Sequence, residues 1–238
     1  MASIEDIRKT LQNLEDTIIR GLCERSNYKQ NLEAYVYKSD IFQYNDKYTG
    51  SYFDYLFKKT ECVQSIVGRY DCFYEKSYYK GNPVSLVKRN YNAKISEHII
   101  NFSDKINLNP HIKIFYLNFL NELCNEGDDV NYGDSVTSDI FNLQAISKRI
   151  HYGILVMESK YTNNKEKYDQ YIKVNDDIGI LKLLKNTVIE EKVLERIDIK
   201  SQKYGIKNPK IVVNFFRNFI IPMTINVELE YLFGRHST

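Results

Sequence analysis

Arg149 and Lys160 stand eleven residues apart in a segment with helical apolar spacing. At ~100° per residue they project from nearly the same face, three turns or ~16 Å apart. Asn186 and Glu190 are spaced i,i+4, and so are Thr224 and Glu228. Each such pair aims two polar groups at one spot. Arg8 sits beside Ile7 on an apolar seam. Two guanidinium forks and an ammonium are anion binders, and a guanidinium grips a carboxylate with two parallel bonds. The bland reading is that these are solvated surface charges and ordinary helix-face pairs. Spacing alone does not make them converge on one pocket.

Other chemistries find less support. His151, in RIHYG, has no Cys or His partner nearby and reads as a structural histidine. His98, His111 and His236 share no ligand spacing, so no metal site is expected. Cys23, Cys62, Cys72 and Cys124 form no C-x-x-C and read as reduced, mostly buried thiols. GDSVTSD lacks the G-x-S-x-G nucleophile signature and a strand before it. No phosphate-cradling glycine loop occurs.

The elements that would position these residues read as helices. Ile4, Ile7, Leu11, Leu14, Ile18 and Leu22 recur every three or four residues, which predicts a helix to about Arg25. Loop follows over 26–50. A helix spans Ser51 to Val67, closed by Gly68, and an aromatic-rich loop covers 69–83. Val84 to Ile106 reads as a further helix. Pro110 starts the next, with Ile112 to Cys124 behind it. Residues 126–138 read as a turn-rich loop that delivers Asp139, the start of a helix to about Lys160. Tyr161–Glu166 is a polar break before short helical pieces at Tyr168–Val174 and Gly179–Leu184. Thr187–Lys203 is another helix. The last begins at Pro209, with a kink expected at Pro222. No alternating strand is convincing, so the chain is predicted to be an all-α, single-domain helix bundle.

The 238 residues carry 33 Lys+Arg against 31 Asp+Glu, a net charge of +2. That balance disfavours a nucleic-acid binder, which would show a basic excess. Apolar residues make up 43%, enough for a core. No apolar run is long enough for a membrane span, and the N-terminus lacks a targeting pattern, so a cytoplasmic location is expected.

Five blocks of the chain resemble the all-helical chorismate mutases of the eukaryotic, yeast and plant type. They are IRKTLQNLEDTIIRGLCERSNY, GSYFDYLFKKTECVQSIVGRY, SDIFNLQAISKRIHYGILVMESKY, NTVIEEKVLER and IIPMTINVELEYL, in that order between Ile7 and Leu232. Cys72 to Leu108 matches poorly. The resemblance implies one chorismate mutase domain over 1–238, paired as a homodimer. It implies isomerisation of chorismate to prephenate by an intramolecular [3,3] shift, in phenylalanine and tyrosine biosynthesis, with no cofactor. By similarity, Arg149 takes the side-chain carboxylate, and Arg8 with Thr224 the other. Lys160 and Glu228 flank the ether oxygen, with Glu228 protonated. Asn186 and Glu190 take the ring-hydroxyl region.

The resemblance further implies a second site for tyrosine or tryptophan. Asn131, Gly133 and Thr137 match its loop, and Arg69 is kept. Asp134 replaces a small hydroxyl residue, Gly68 an arginine of some relatives, and Ile154 a lysine expected at the surface. The competing reading is a non-catalytic helical dimerisation or regulatory module of the same descent. A degenerate copy should have lost costly charges, whereas all seven active-site positions are filled.

Overall fold

The computed structural model describes residues 4–40, 42–43, 48–87 and 103–236. Its helices are α1 (Ile4–Arg25), α2 (Tyr52–Ile66), α3 (Asn109–Leu123), α4 (Tyr132–His151) and α5 (Gly153–Asn163). They continue with α6 (Lys165–Lys173), α7 (Asp177–Leu184), α8 (Thr187–Lys203), α9 (Pro209–Phe215) and α10 (Ile221–His236). Short 3-10 turns lie at Leu32–Tyr35 and Arg69–Asp71. No strand occurs among the described residues, as the sequence pattern predicts. No helix is long and apolar enough to cross a membrane.

α1 packs along α4, α10 along α5, and α8 against both α1 and α9. The α1 seam buries Ile7, Leu14, Ile18, Ile19 and Leu22. Full burial of each such side chain is worth about 1.5–3 kcal/mol. The far end of the α1–α4 contact holds a buried ion pair. Arg25 Nε donates to Asp139 Oδ1 at 2.7 Å, with both side chains 0% exposed. Tyr116 donates to the same carboxylate at 2.8 Å, and Tyr35 donates to its other oxygen. The remaining Arg25 donors reach the Lys29 and Gln30 carbonyls. Removing one partner would strand an unpaired charge, so this cluster fixes the register of α1 on α4.

Several sequence expectations need correction. α4 begins at Tyr132, not at Asp139, which lies well inside the helix. The Gly, Ser and Thr residues that suggested a loop form its first turns, where Thr137 Oγ1 bonds back to the Gly133 carbonyl at 2.7 Å. The helix also does not run unbroken to Lys160. It breaks at Tyr152, and α5 continues to Asn163, so the polar break is shorter than expected. Ile154 is fully buried rather than on the surface. Val84–Val87 is not helical, and 88–102, with the rest of the helix expected there and His98, lies outside the described residues. Of the thiols, Cys72 and Cys124 are buried, and Cys23 and Cys62 are half-buried.

Pro222 exerts its effect just upstream. A π-helical turn spans Phe216–Ile220, and the Ile221 N–H bonds to the Phe216 carbonyl, one residue further back than in an α-helix. Pro222 lacks an N–H, so the ladder must skip a bond there. His151 is a satisfied core residue. Its Nε2 accepts from the Leu108 N–H at 3.0 Å, and its Nδ1 faces the Ser147 carbonyl at 2.8 Å. Burial pushes its pKa down to about 4, so it is neutral.

α5 and α10 approach closely at Gly153. A Cβ there would lie 3.0 Å from the Thr224 carbonyl oxygen and 3.1 Å from Thr224 Cγ2. Gly153→Ala is expected to cost about 1–3 kcal/mol, because two packed helices must separate. Urea unfolding checks this, and an unchanged midpoint would refute it.

Candidate active site

One cavity of about 530 Å³ opens among α1, α4, α5, α8 and α10. Arg8, Arg149, Lys160, Asn186, Glu190, Thr224 and Glu228 all line it. The structure therefore brings together seven residues that come from five helices.

Arg149 is 6% exposed near the C-terminus of α4. Its Nη1 reaches Thr224 Oγ1 at 3.4 Å, while its Nε is buried without a partner. Burial opposes its charge, and the fields of Glu15 and Glu228 offset that only in part. Thr224 Oγ1 itself donates to the Ile220 carbonyl at 2.7 Å, which leaves its lone pairs facing Arg149. Arg8 is exposed at the rim, one residue beyond buried Ile7.

Lys160 on α5 donates to Glu228 Oε2 at 2.7 Å and to the Leu184 carbonyl at 3.1 Å. Glu228 is 3% exposed. Burial raises its pKa above the ordinary carboxylate range. Lys160 and then Arg149 pull it down, and Glu190 pushes it up again. Asn186 and Glu190 have a local duty as well. Asn186 Oδ1 caps α8 through the Ile189 N–H at 3.1 Å, and Glu190 Oε1 accepts the Asn186 N–H at 3.2 Å. Their i,i+4 spacing thus serves the helix start as well as the cavity.

Sequence reasoning missed six polar lining residues: Gln12 and Glu15 on α1, Asn164 between α5 and α6, Tyr168 on α6, and Lys192 and Arg196 on α8. Arg196 grips buried Glu15 with two bonds, at 2.9 and 3.1 Å. The signal was present in the spacing. Glu15 follows Arg8 by seven residues, two helical turns, and so shares its face. Tyr168 brings a phenol whose pKa is pushed up to about 12, chiefly by burial and then by Glu228.

Five cations on the lining face three carboxylates. Arg196 neutralises Glu15, and Lys160 pairs with Glu228. Among the described residues, Arg8, Arg149 and Lys192 make no ion pair. The cavity thus has spare positive charge at separated points, one of them fully desolvated, and one buried carboxyl with a raised pKa. That set can hold a polyanion and donate a proton-bearing bond. Among the described residues, no cluster suited to a metal ion occurs.

The chain is 33% identical to the chorismate mutase of Schizosaccharomyces pombe, an alignment that covers 98% of this chain and 96% of the relative. It belongs to the chorismate mutase family. No family model matches the chain. The fold agrees: the chorismate mutase of Candida albicans, solved with L-Trp, superposes with a TM-score of 0.90 at 30% identity, over 99% of this chain and 92% of that one. A plant-type relative solved with tyrosine in its allosteric site gives 0.88 at 32% identity, over 97% and 95%.

The expected effector residues of this family member are placed differently from its active site. Asn131, Gly133, Asp134 and Thr137 are all exposed around the start of α4. Asp134 falls in the first turn, where a carboxylate favours the helix dipole. Arg69 instead pairs with Glu75 at 3.3 Å, and Glu75 also takes Lys148. No described hydrogen bond or ion pair joins Arg69 to the Asn131–Thr137 turn.

Proposed function

We propose that the chain isomerises chorismate to prephenate in this cavity, as one catalytic domain over 1–238. The observation that carries the reading is the convergence of seven side chains on a cavity with unpaired Arg8 and Arg149. Chorismate is a dianion with an enol ether and a ring hydroxyl. The reaction is intramolecular and forms no bond to the protein. The protein must therefore fold the enolpyruvyl arm over the ring and stabilise charge as the C–O bond breaks.

On this reading Arg149 holds the side-chain carboxylate, and Arg8 with Thr224 the other. Two fixed anion sites select the folded conformer. Lys160 and protonated Glu228, already 2.7 Å apart, donate to the ether oxygen as it gains negative charge. Asn186 and Glu190 take the ring hydroxyl. Loss of chorismate absorbance on adding purified protein tests the reading, and a folded protein that leaves chorismate unchanged would refute it.

Pairing into a homodimer is part of this proposal. Val63, Val67 and Leu86 are 64%, 50% and 82% exposed, and the Leu86 N–H bonds to the Ile66 carbonyl at 2.9 Å, so these apolar side chains neighbour one another. A cytoplasmic location belongs to it too, and the four free thiols suit a reducing compartment. Tyrosine or tryptophan would act at the exposed turn around Gly133, as the effector-bound relatives suggest. There Asp134 repels an effector carboxylate. Asp134→Ser is expected to strengthen the response to these amino acids. It also costs about 0.3–1 kcal/mol of helix-dipole stabilisation. Titrating activity against each amino acid checks this. If neither protein responds at millimolar levels, the turn is not an effector site.

A further inference from the structure

α1 and α8 lie side by side and run in the same direction. Near their C-terminal ends Cys23 Sγ donates to the Tyr204 carbonyl at 3.0 Å. Toward their starts Lys200 pairs with Asp16 at 3.0 Å, and Arg196 then grips Glu15. Both ion pairs set a cation of α8 against a carboxylate of α1. Closer to the helix starts the pattern changes, one turn on along α8 and two turns on along α1. Lys192 lies four residues before Arg196, and Arg8 lies seven before Glu15. Both line the cavity and both are exposed. Neither makes an ion pair among the described residues. The ladder thus gives way to two cations without carboxylate partners among the described residues, both on the lining of the cavity.

We propose that Lys192 is a further substrate-binding residue, which with Arg8 forms a cationic mouth that draws in and holds one carboxylate of the dianion. This rests on the chorismate mutase reading. An anion between the two cations replaces their repulsion with two attractions. The remaining acid of the lining, Glu190, already accepts the Asn186 N–H and does not pair with Lys192. An exposed ammonium on a flexible stem is a hydrated point charge, suited to capture rather than to two-pronged orientation. Its contribution should therefore lie in KM and in the dependence of capture on salt, not in the chemical step.

The test compares the unmodified chain with Lys192→Ala and Lys192→Glu. The alanine variant should raise KM for chorismate about five- to tenfold, leave kcat within about twofold, and flatten the fall of kcat/KM with ionic strength. The glutamate variant removes one of the two like charges and sets a carboxylate on the same lining as the unpaired Arg8. It should keep or raise Tm while lowering kcat/KM about a hundredfold, a combination that poor folding cannot produce. Prephenate affinity, measured by calorimetry, should fall in the same order and reads the mouth without turnover. Unchanged KM, salt slope and prephenate affinity in both variants would overturn the proposal. So would a loss confined to kcat. Failure of the underlying reading looks different: the unmodified chain would then leave chorismate intact, while the prephenate titration still reports on Lys192.

Discussion

Arg149→Ala is expected to lower kcat/KM by about two to four orders of magnitude while the protein stays folded. The loss corresponds to ~3–5 kcal/mol of transition-state stabilisation, because a desolvated substrate carboxylate is left without its partner. The stability expectation is the reverse of the usual one for a buried side chain. Arg149 is 6% exposed, its Nε has no partner, and burial disfavours its charge. The partner of its one side-chain hydrogen bond, Thr224 Oγ1, already donates to the Ile220 carbonyl. Removing the guanidinium therefore breaks no ion pair among the described residues and relieves a charge whose burial is only partly offset, so Tm should hold or rise. Arg149→Lys should recover little activity, since an ammonium cannot make the paired bonds of a guanidinium. Near-normal turnover in the lysine variant would show that Arg149 is not a two-pronged carboxylate holder.

The same residue shows what the sequence could and could not disclose. Helical periodicity places Arg149 and Lys160 on one nominal face, as if one straight helix carried both. The chain breaks at Tyr152, where Gly153 lets α5 come close to Thr224 of α10. Convergence of the two cations thus depends on a tertiary contact that no local pattern reports. Asp139 failed for a related reason. Its neighbours Gly133, Ser135, Thr137 and Ser138 have turn-like propensities, yet burial of Val136 and Ile140 and the ion pair with Arg25 hold the segment helical. α1 and α8 are legible nearly to the residue, α1 because its apolar stripe is long and α8 because Asn186 caps its start and Gly205, at positive φ, follows its end. Glu15 and Arg196 went unnoticed because each alone looks like a surface charge. Their meaning appears only when α1 and α8 lie side by side and the pair closes at 2.9 Å.

Glu228→Gln is expected to keep substantial activity and to remove the alkaline decline that the unmodified chain should show. Glu228 can donate to the ether oxygen only as the neutral acid. Burial is the largest influence on it and raises its pKa. Lys160 on α5 and Arg149 on α4 favour the charged form, while Glu190 on α8 opposes it. The phenol of Tyr168 on α6 also lies in its field. The net direction is upward from the ordinary value, and two bound substrate carboxylates push it further the same way. The sign follows. Below the raised pKa, Glu228 is protonated and donates. As pH climbs through it, the carboxylate forms, loses its donor and repels the growing charge on the ether oxygen, so kcat/KM falls. Glutamine keeps a donor in the same place and does not ionise. Its carbonyl can still accept from Lys160, now 2.7 Å from Oε2, while its amide turns to the ligand. Profiles of kcat/KM against pH for both proteins decide the matter. Identical alkaline limbs would assign the decline to another group. A glutamine variant that is folded but inactive at every pH would show that Glu228 acts through its charge rather than through a donated hydrogen bond.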